Sequence, residues 1–175
     1  MRKVLVSVAV GALAAACSPP AQREPAEPAP PPAVESCNTV APDAARQIGV
    51  EDETATAAAA ADLRGGRIAP GVYDLVRAMR IGQATGWQGE RAVALEVTES
   101  AEGGTVFDWA GAAPGGDVDR WTASFSDAGE HPIMSYTCGR IGDVALEFTA
   151  QSNALTLRVP DGANGTLHLE FQRRS

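Results

Sequence analysis

Lysine is almost missing from this chain: Lys3 is the single one among 175 residues. Beyond residue 16, twelve arginines stand against 22 acids, a net charge of −10. Binding to a phosphate backbone needs a basic footprint, so this balance argues against a nucleic-acid partner. An acidic surface suits solubility and is compatible with a cationic partner. Aromatic residues are scarce too, nine in all, too few to tell a ligand-lined interior from one that its own side chains fill. The two histidines, His131 and His168, lack a second histidine at metal-ligand spacing. Both are expected at the surface, His131 before Pro132 and His168 on the outward side of a strand. There is no phosphate-binding glycine loop and no nucleophile elbow. Asp117-Val118-Asp119 opens like a calcium loop but lacks its third acid, turn glycine and closing glutamate, so it reads as a hairpin loop. The expectation is a non-catalytic protein without a cofactor or metal. A membrane-spanning helix needs about 20 apolar residues, and the apolar run at residues 4–16 has only thirteen positions.

That run has its own meaning. It follows Met1-Arg2-Lys3 and ends at Ala14-Ala15-Ala16-Cys17, the layout of a charged n-region, an apolar h-region and a small-residue cleavage site. Ordinary secretion would free a chain that begins at Cys17. Leu13-Ala14-Ala15-Ala16-Cys17 also resembles the lipobox of bacterial lipoproteins, although the large aliphatic residue stands four positions before the cysteine and not the usual three. The chain has three cysteines. Secretion alone leaves an odd thiol in an oxidising compartment, whereas acylation of Cys17 leaves Cys37 and Cys138 free to pair. The lipoprotein resemblance implies cleavage after residue 16 and a lipid on Cys17. Because Ser18 is not an aspartate, it also implies sorting to the outer membrane, with the domain facing the periplasm or the exterior. Acyl chains contribute about 0.8 kcal/mol per buried methylene, enough in combination for a stable anchor.

Residues 18–36 hold seven prolines among Ala and Glu, with no apolar period. They read as a semi-rigid tether of roughly 50 Å, at about 3.1 Å per residue. Residues 37–175 form one domain's worth of chain. The Ala-rich stretch within 43–64 predicts a short N-terminal helix, stopped by Gly65-Gly66, with Glu51-Asp52-Glu53 as charge in its early turns. After Pro70 the period changes to two. Eight strands are expected at 71–81, 90–98, 105–109, 118–126, 132–138, 143–150, 154–160 and 166–173. Val93, Leu95 and Val97 share one side, as do Trp121, Ala123 and Phe125, and Leu167, Leu169 and Phe171. Short Gly/Pro/Asp/Asn connections leave no room for crossover helices. The predicted fold is all-β: an eight-stranded antiparallel up-and-down, calycin-like barrel, with a β-sandwich as the alternative. A Cys37–Cys138 bond would staple the start of the domain to the barrel wall.

Candidate ligand-binding residues are Tyr73, Arg77, Phe107, Trp109, Trp121 and Phe125. Arg77 shares the parity of Tyr73, Leu75, Met79 and Ile81, so a regular strand would aim it inward, where a guanidinium needs an anion; a bulge would return it to solvent. Gly71-Val72-Tyr73 resembles the Gly-x-Trp start of lipocalins, with Tyr in place of Trp. Tyr136-Thr137-Cys138, the run 144–148 and Leu155-Thr156-Leu157 are similar to the opening of bacterial membrane-bound lysozyme inhibitors, whose later Ser-Gly-x-x-Tyr loop is absent here. The first resemblance implies a small hydrophobic or acidic ligand inside the barrel, the second a cationic lysozyme as partner. The expected function is a lipid-anchored outer-membrane binding protein; a lysozyme inhibitor and a structural accessory of an envelope assembly are the alternatives.

Overall fold

The structure, a computed structural model, describes residues 36–53, 63–129 and 131–175. The expected leader, Cys17 and nearly all of the expected tether lie outside the described residues, as do residues 54–62 of the expected helix. What is described is all-β: ten strands in one mixed sheet. They are β1 (Ile48–Glu53), β2 (Gly71–Gly82), β3 (Glu90–Glu99), β4 (Thr105–Ala112), β5 (Val118–Ser126), β6 (Ile133–Cys138), β7 (Asp143–Ala145), β8 (Glu147–Ala150), β9 (Ala154–Pro160) and β10 (Gly165–Arg173). The hydrogen-bonded order is β7-β6-β5-β4-β3-β1-β2-β10-β9-β8.

Seven of the eight expected strands are present as single strands, and the eighth, 143–150, is divided in two. From β2 onward, successive strands pair antiparallel, except at β7–β8, and β2 also pairs with β10. The run 143–150 is the exception to regularity. Its first part, β7, pairs with β6 and its second, β8, pairs with β9. Between them stands Leu146, whose N–H donates to the Pro132 carbonyl at 3.0 Å. The ladder is therefore not closed: β7 and β8 stand at its two ends. Side-chain parity nevertheless runs straight through, with Leu146 and Phe148 buried and Ala145 and Glu147 exposed.

The N-terminal helix is corrected over the part described: residues 48–53 are a strand. β2 and β3 pair directly only where Gly71–Asp74 meet Ala94–Val97. Beyond that they splay, and β1 fills the wedge, parallel to β2 through Val50–Glu53 and antiparallel to β3 through Ile48 and Gly49. Ile48 and Val50 pack against the core while Glu51 and Asp52 turn outward. Free backbone groups on both sides of a gap in a sheet draw a chain into the extended state against its local helix preference.

Period two gives each strand one apolar face. Tyr73, Leu75, Val93, Leu95, Val97, Phe107, Trp109, Trp121, Ala123, Phe125, Leu155, Leu157, Leu169 and Phe171 form a single cluster. Two irregularities redirect side chains. Glu170 pairs with Arg77 and Phe171 with Leu75, so Val76 is an extra residue in β2. Likewise Ala123 pairs with Tyr136 but Thr122 with Cys138, leaving Thr137 bulged. The first bulge reverses the parity of β2, and the second sends Cys138 to the outer surface.

There Cys138 is bonded to Cys37, with their Cα atoms 5.6 Å apart. The segment that follows Cys37 straps the outside of β4 and β5. The Asn38 side-chain amide donates to the carbonyls of Trp109 (3.2 Å) and Trp121 (2.9 Å). Val40 packs on Ala94 and Ala110, small enough for the strap to lie close. Arg120 donates to the Val40 carbonyl. At the C-terminus, Arg174 makes two hydrogen bonds to buried Asp74, at 2.8 and 2.6 Å, and a third to the Ala41 carbonyl.

Candidate ligand-binding cavity

The interior is filled at one end and hollow at the other. At the end near the β3–β4 turn, Phe107 stacks on Phe125 at 5.0 Å and Phe148 meets Phe125 edge-on at 5.2 Å. Toward the opposite end the rings become Trp109 and Trp121, cross-strand partners that stack at 5.3 Å. Tyr136 stands edge-on to Trp121 at 5.2 Å. Above them a cavity of about 170 Å³ is lined by these rings, Trp87, Met134, Leu157, Leu169 and neighbouring residues, with Arg91, Asp119, Arg140 and Asp161 among them.

Local chemistry explains why the hollow persists. Gly111 is two residues along β4 from Trp109 and shares its face; a Cβ there would stand 3.0 Å from the indole nitrogen of Trp109 and 3.5 Å from Val93. The glycine leaves space for the edge of the indole. Trp87 is brought over the cavity by the β2–β3 loop, which crosses the start of β10. A Cβ on Gly165 would meet the Ala84 backbone at 2.1 Å, so only glycine permits that crossing. The Gly86 N–H donates to the Asp161 carboxylate at 2.6 Å and pins the loop to the β9–β10 turn.

Polar groups of the lining are unevenly satisfied. Asp119 pairs with Arg140 at 3.2 Å, and the Arg140 guanidinium lies over the rings of Trp121 and Tyr136, 5.9 Å from each centroid. Arg91 lies over the Trp87 ring at 5.8 Å, and among the described residues no carboxylate stands within ion-pair distance of it. The indole N–H groups of Trp87 and Trp109 and the Nε–H of Arg91 are buried without a hydrogen-bond partner. Trp87 is 4% exposed and Trp109 8%. Buried indole N–H groups normally find an acceptor, and leaving one unpaired costs about 1–3 kcal/mol.

Of the candidates read from the sequence, Trp109 and Trp121 line the cavity. Phe107 and Phe125 point inward but belong to the filled half. Tyr73 is fully buried in the core; its hydroxyl donates to the Ala69 carbonyl at 2.6 Å, and burial pushes its pKa up. Arg77 is corrected: it lies outside, 3.1 Å from Glu51 and 3.7 Å from Glu170, because the extra residue Val76 turns it to solvent. His168 is corrected too. It faces outward yet is only 6% exposed, between Met79 of β2 and Arg158 of β9 and 3.4 Å from Glu170.

Sequence reasoning missed Trp87, Arg91, Tyr136 and Arg140. Arg91 was within reach, since continuing the Val93–Leu95–Val97 alternation one step back lands on it. Trp87 had no such signal, because its loop carries no period.

No protein-family model and no curated protein matches this chain. Among solved structures it is similar to a de novo designed fluorescence-activating β-barrel, at 14% identity and a TM-score of 0.41, over 61% of this chain and 94% of that one.

Proposed function

We propose that this chain is a non-catalytic, lipid-anchored binding protein of the outer membrane, whose sheet works as a closed eight-strand barrel and holds a small ligand with an apolar body among its tryptophans. In this reading the run 143–150 passes the wall from β6 to β9, and β1 patches the wedge beside β2. The observation that carries the proposal is the half-hollow interior: a cavity of about 170 Å³ lined by Trp87, Trp109, Trp121 and Tyr136. An apolar cavity of about 150 Å³ is enough to hold one benzene. The size selects a ligand of one ring or a short branched chain and leaves no room for a fatty acid or a large cofactor. Lipidation of Cys17 and the tether rest on the resemblance of residues 1–17 to lipoprotein leaders.

Native mass spectrometry of the full chain extracted from its own envelope tests the proposal. A retained small molecule of about one-ring size is expected. Val144 lines the cavity, and Val144→Phe, which fills the space, should release that molecule while the near-ultraviolet spectrum stays that of a folded protein. Recovery of empty protein that also fails to take up any single-ring compound would overturn the proposal.

A further inference from the structure

The charges around the cavity do not all cancel. Four ionised residues line the cavity: Arg91, Arg140, Asp119 and Asp161. Arg140 is matched by Asp119, and Asp161 is turned toward the β2–β3 loop, where it accepts the Gly86 N–H. Arg91 remains as a guanidinium whose described neighbour is the face of the Trp87 ring. A bare hydrocarbon leaves that guanidinium unmatched, and a cationic ligand would face it.

We infer that the ligand of this cavity is a small carboxylic acid, bound as its anion, with its ring or branched chain among Trp109, Trp121 and Leu157 and its carboxylate held by Arg91. The inference rests on the binding role proposed above and specifies the head group of its ligand. A carboxylate carries two oxygens and no donor, which is the complement of a guanidinium's paired N–H groups. Binding at the mouth of an otherwise acidic protein then depends on one local charge, so Arg91 decides between an acid and its neutral isostere. Arg140, already neutralised by Asp119, is not the anion's partner.

Titration of the purified full chain with benzoate and with toluene, followed by calorimetry and tryptophan fluorescence, tests this. Benzoate should bind saturably at about millimolar concentration or below, and at least tenfold more tightly than toluene. Arg91→Gln should weaken benzoate by tenfold or more and leave toluene unchanged. Arg91→Lys keeps the charge and loses the fork; it should retain part of the preference for benzoate over toluene. Toluene binding as tightly as benzoate, or benzoate binding untouched by Arg91→Gln, overturns the carboxylate inference and leaves the cavity's binding role in place. Failure of both compounds to bind overturns the two together.

Discussion

Single residues decide where this sheet departs from plain alternation. Arg77 shows the limit of counting by twos: four neighbours of its parity are apolar, yet one inserted residue, Val76, turns it to the outer face. A bulge leaves little trace in a sequence, because the extra position is filled by a residue that either face accepts. His168 shows the opposite limit. Its outward parity was legible, its burial was not, since burial on the outer face depends on what covers that face. Burial lowers its pKa, against the raising effect of Glu170 and Glu53 and with the further lowering effect of Arg158. With its folded pKa below the unfolded value of about 6.5, the unfolded chain binds more protons as pH falls through that value. Stability should therefore be unaffected by His168 at pH 8 and decline below about pH 6.5, by no more than about 1.4 kcal/mol per pH unit for one proton. Denaturant midpoints of the chain and of His168→Gln, measured between pH 8 and 5, check this. The variant should lack that part of the slope, and identical slopes would refute the assignment.

At the scale of elements, strand existence was legible and strand partnership was not. Seven of the eight alternating runs after Pro70 became single strands and 143–150 became two, because period two with glycine-rich turns has no competing solution over such short lengths. The helix expected within 43–64 reached too far back, since residues 48–53 are β1. Helix preference is local, whereas β1 answers to a gap between β2 and β3 that exists only once those strands have folded. Even so, Ile48 and Val50 already alternate with Gly49 and Glu51. The pairing of Cys37 with Cys138 followed from arithmetic, but its position behind the tryptophan pair did not. The Thr137 bulge and the Asn38 bonds create it. Replacing both cysteines by alanine removes a link across a sequence separation of 101 residues. The expected cost is about 2–5 kcal/mol, seen as a lower denaturant midpoint under non-reducing conditions. Because Asn38 braces the carbonyls of Trp109 and Trp121, the same variant should also show altered tryptophan fluorescence while still folded. A loss of stability without that spectral change would mean that the strap does not position the rings.

The whole chain joins residues 37–175, which hold the sheet, to an N-terminal stretch whose proline-rich composition is unlike the rest. That the sheet lies in residues 37–175 was readable from composition, since residues 18–36 have no apolar period. The asymmetric interior was not, because which end of a sheet is filled depends on ring against ring across strands: Phe107 with Phe125 at one level, Trp109 with Trp121 at the next. If Cys17 carries the lipid, Cys17→Ser should move the protein from the membrane to the soluble fraction after cell lysis. Mass spectrometry of the native N-terminus should find acyl chains on that residue. An unmodified Cys17 would refute the anchor and leave the domain's fold untouched.

The bond at Cys37 has a mechanical consequence. A pull on the N-terminus against a held C-terminus cannot lengthen the chain between Cys37 and Cys138 while the two sulfurs are joined. The slack that tension can release is then limited to the 37 residues beyond Cys138, about 130 Å at full stretch. β1 through β6 lie inside the covalent loop and carry no tensile load. Half of the residues around the hollow belong to that shielded stretch, so drag on the N-terminal segment would strip β7 to β10 before it reached the wall that carries Arg91 and Trp109.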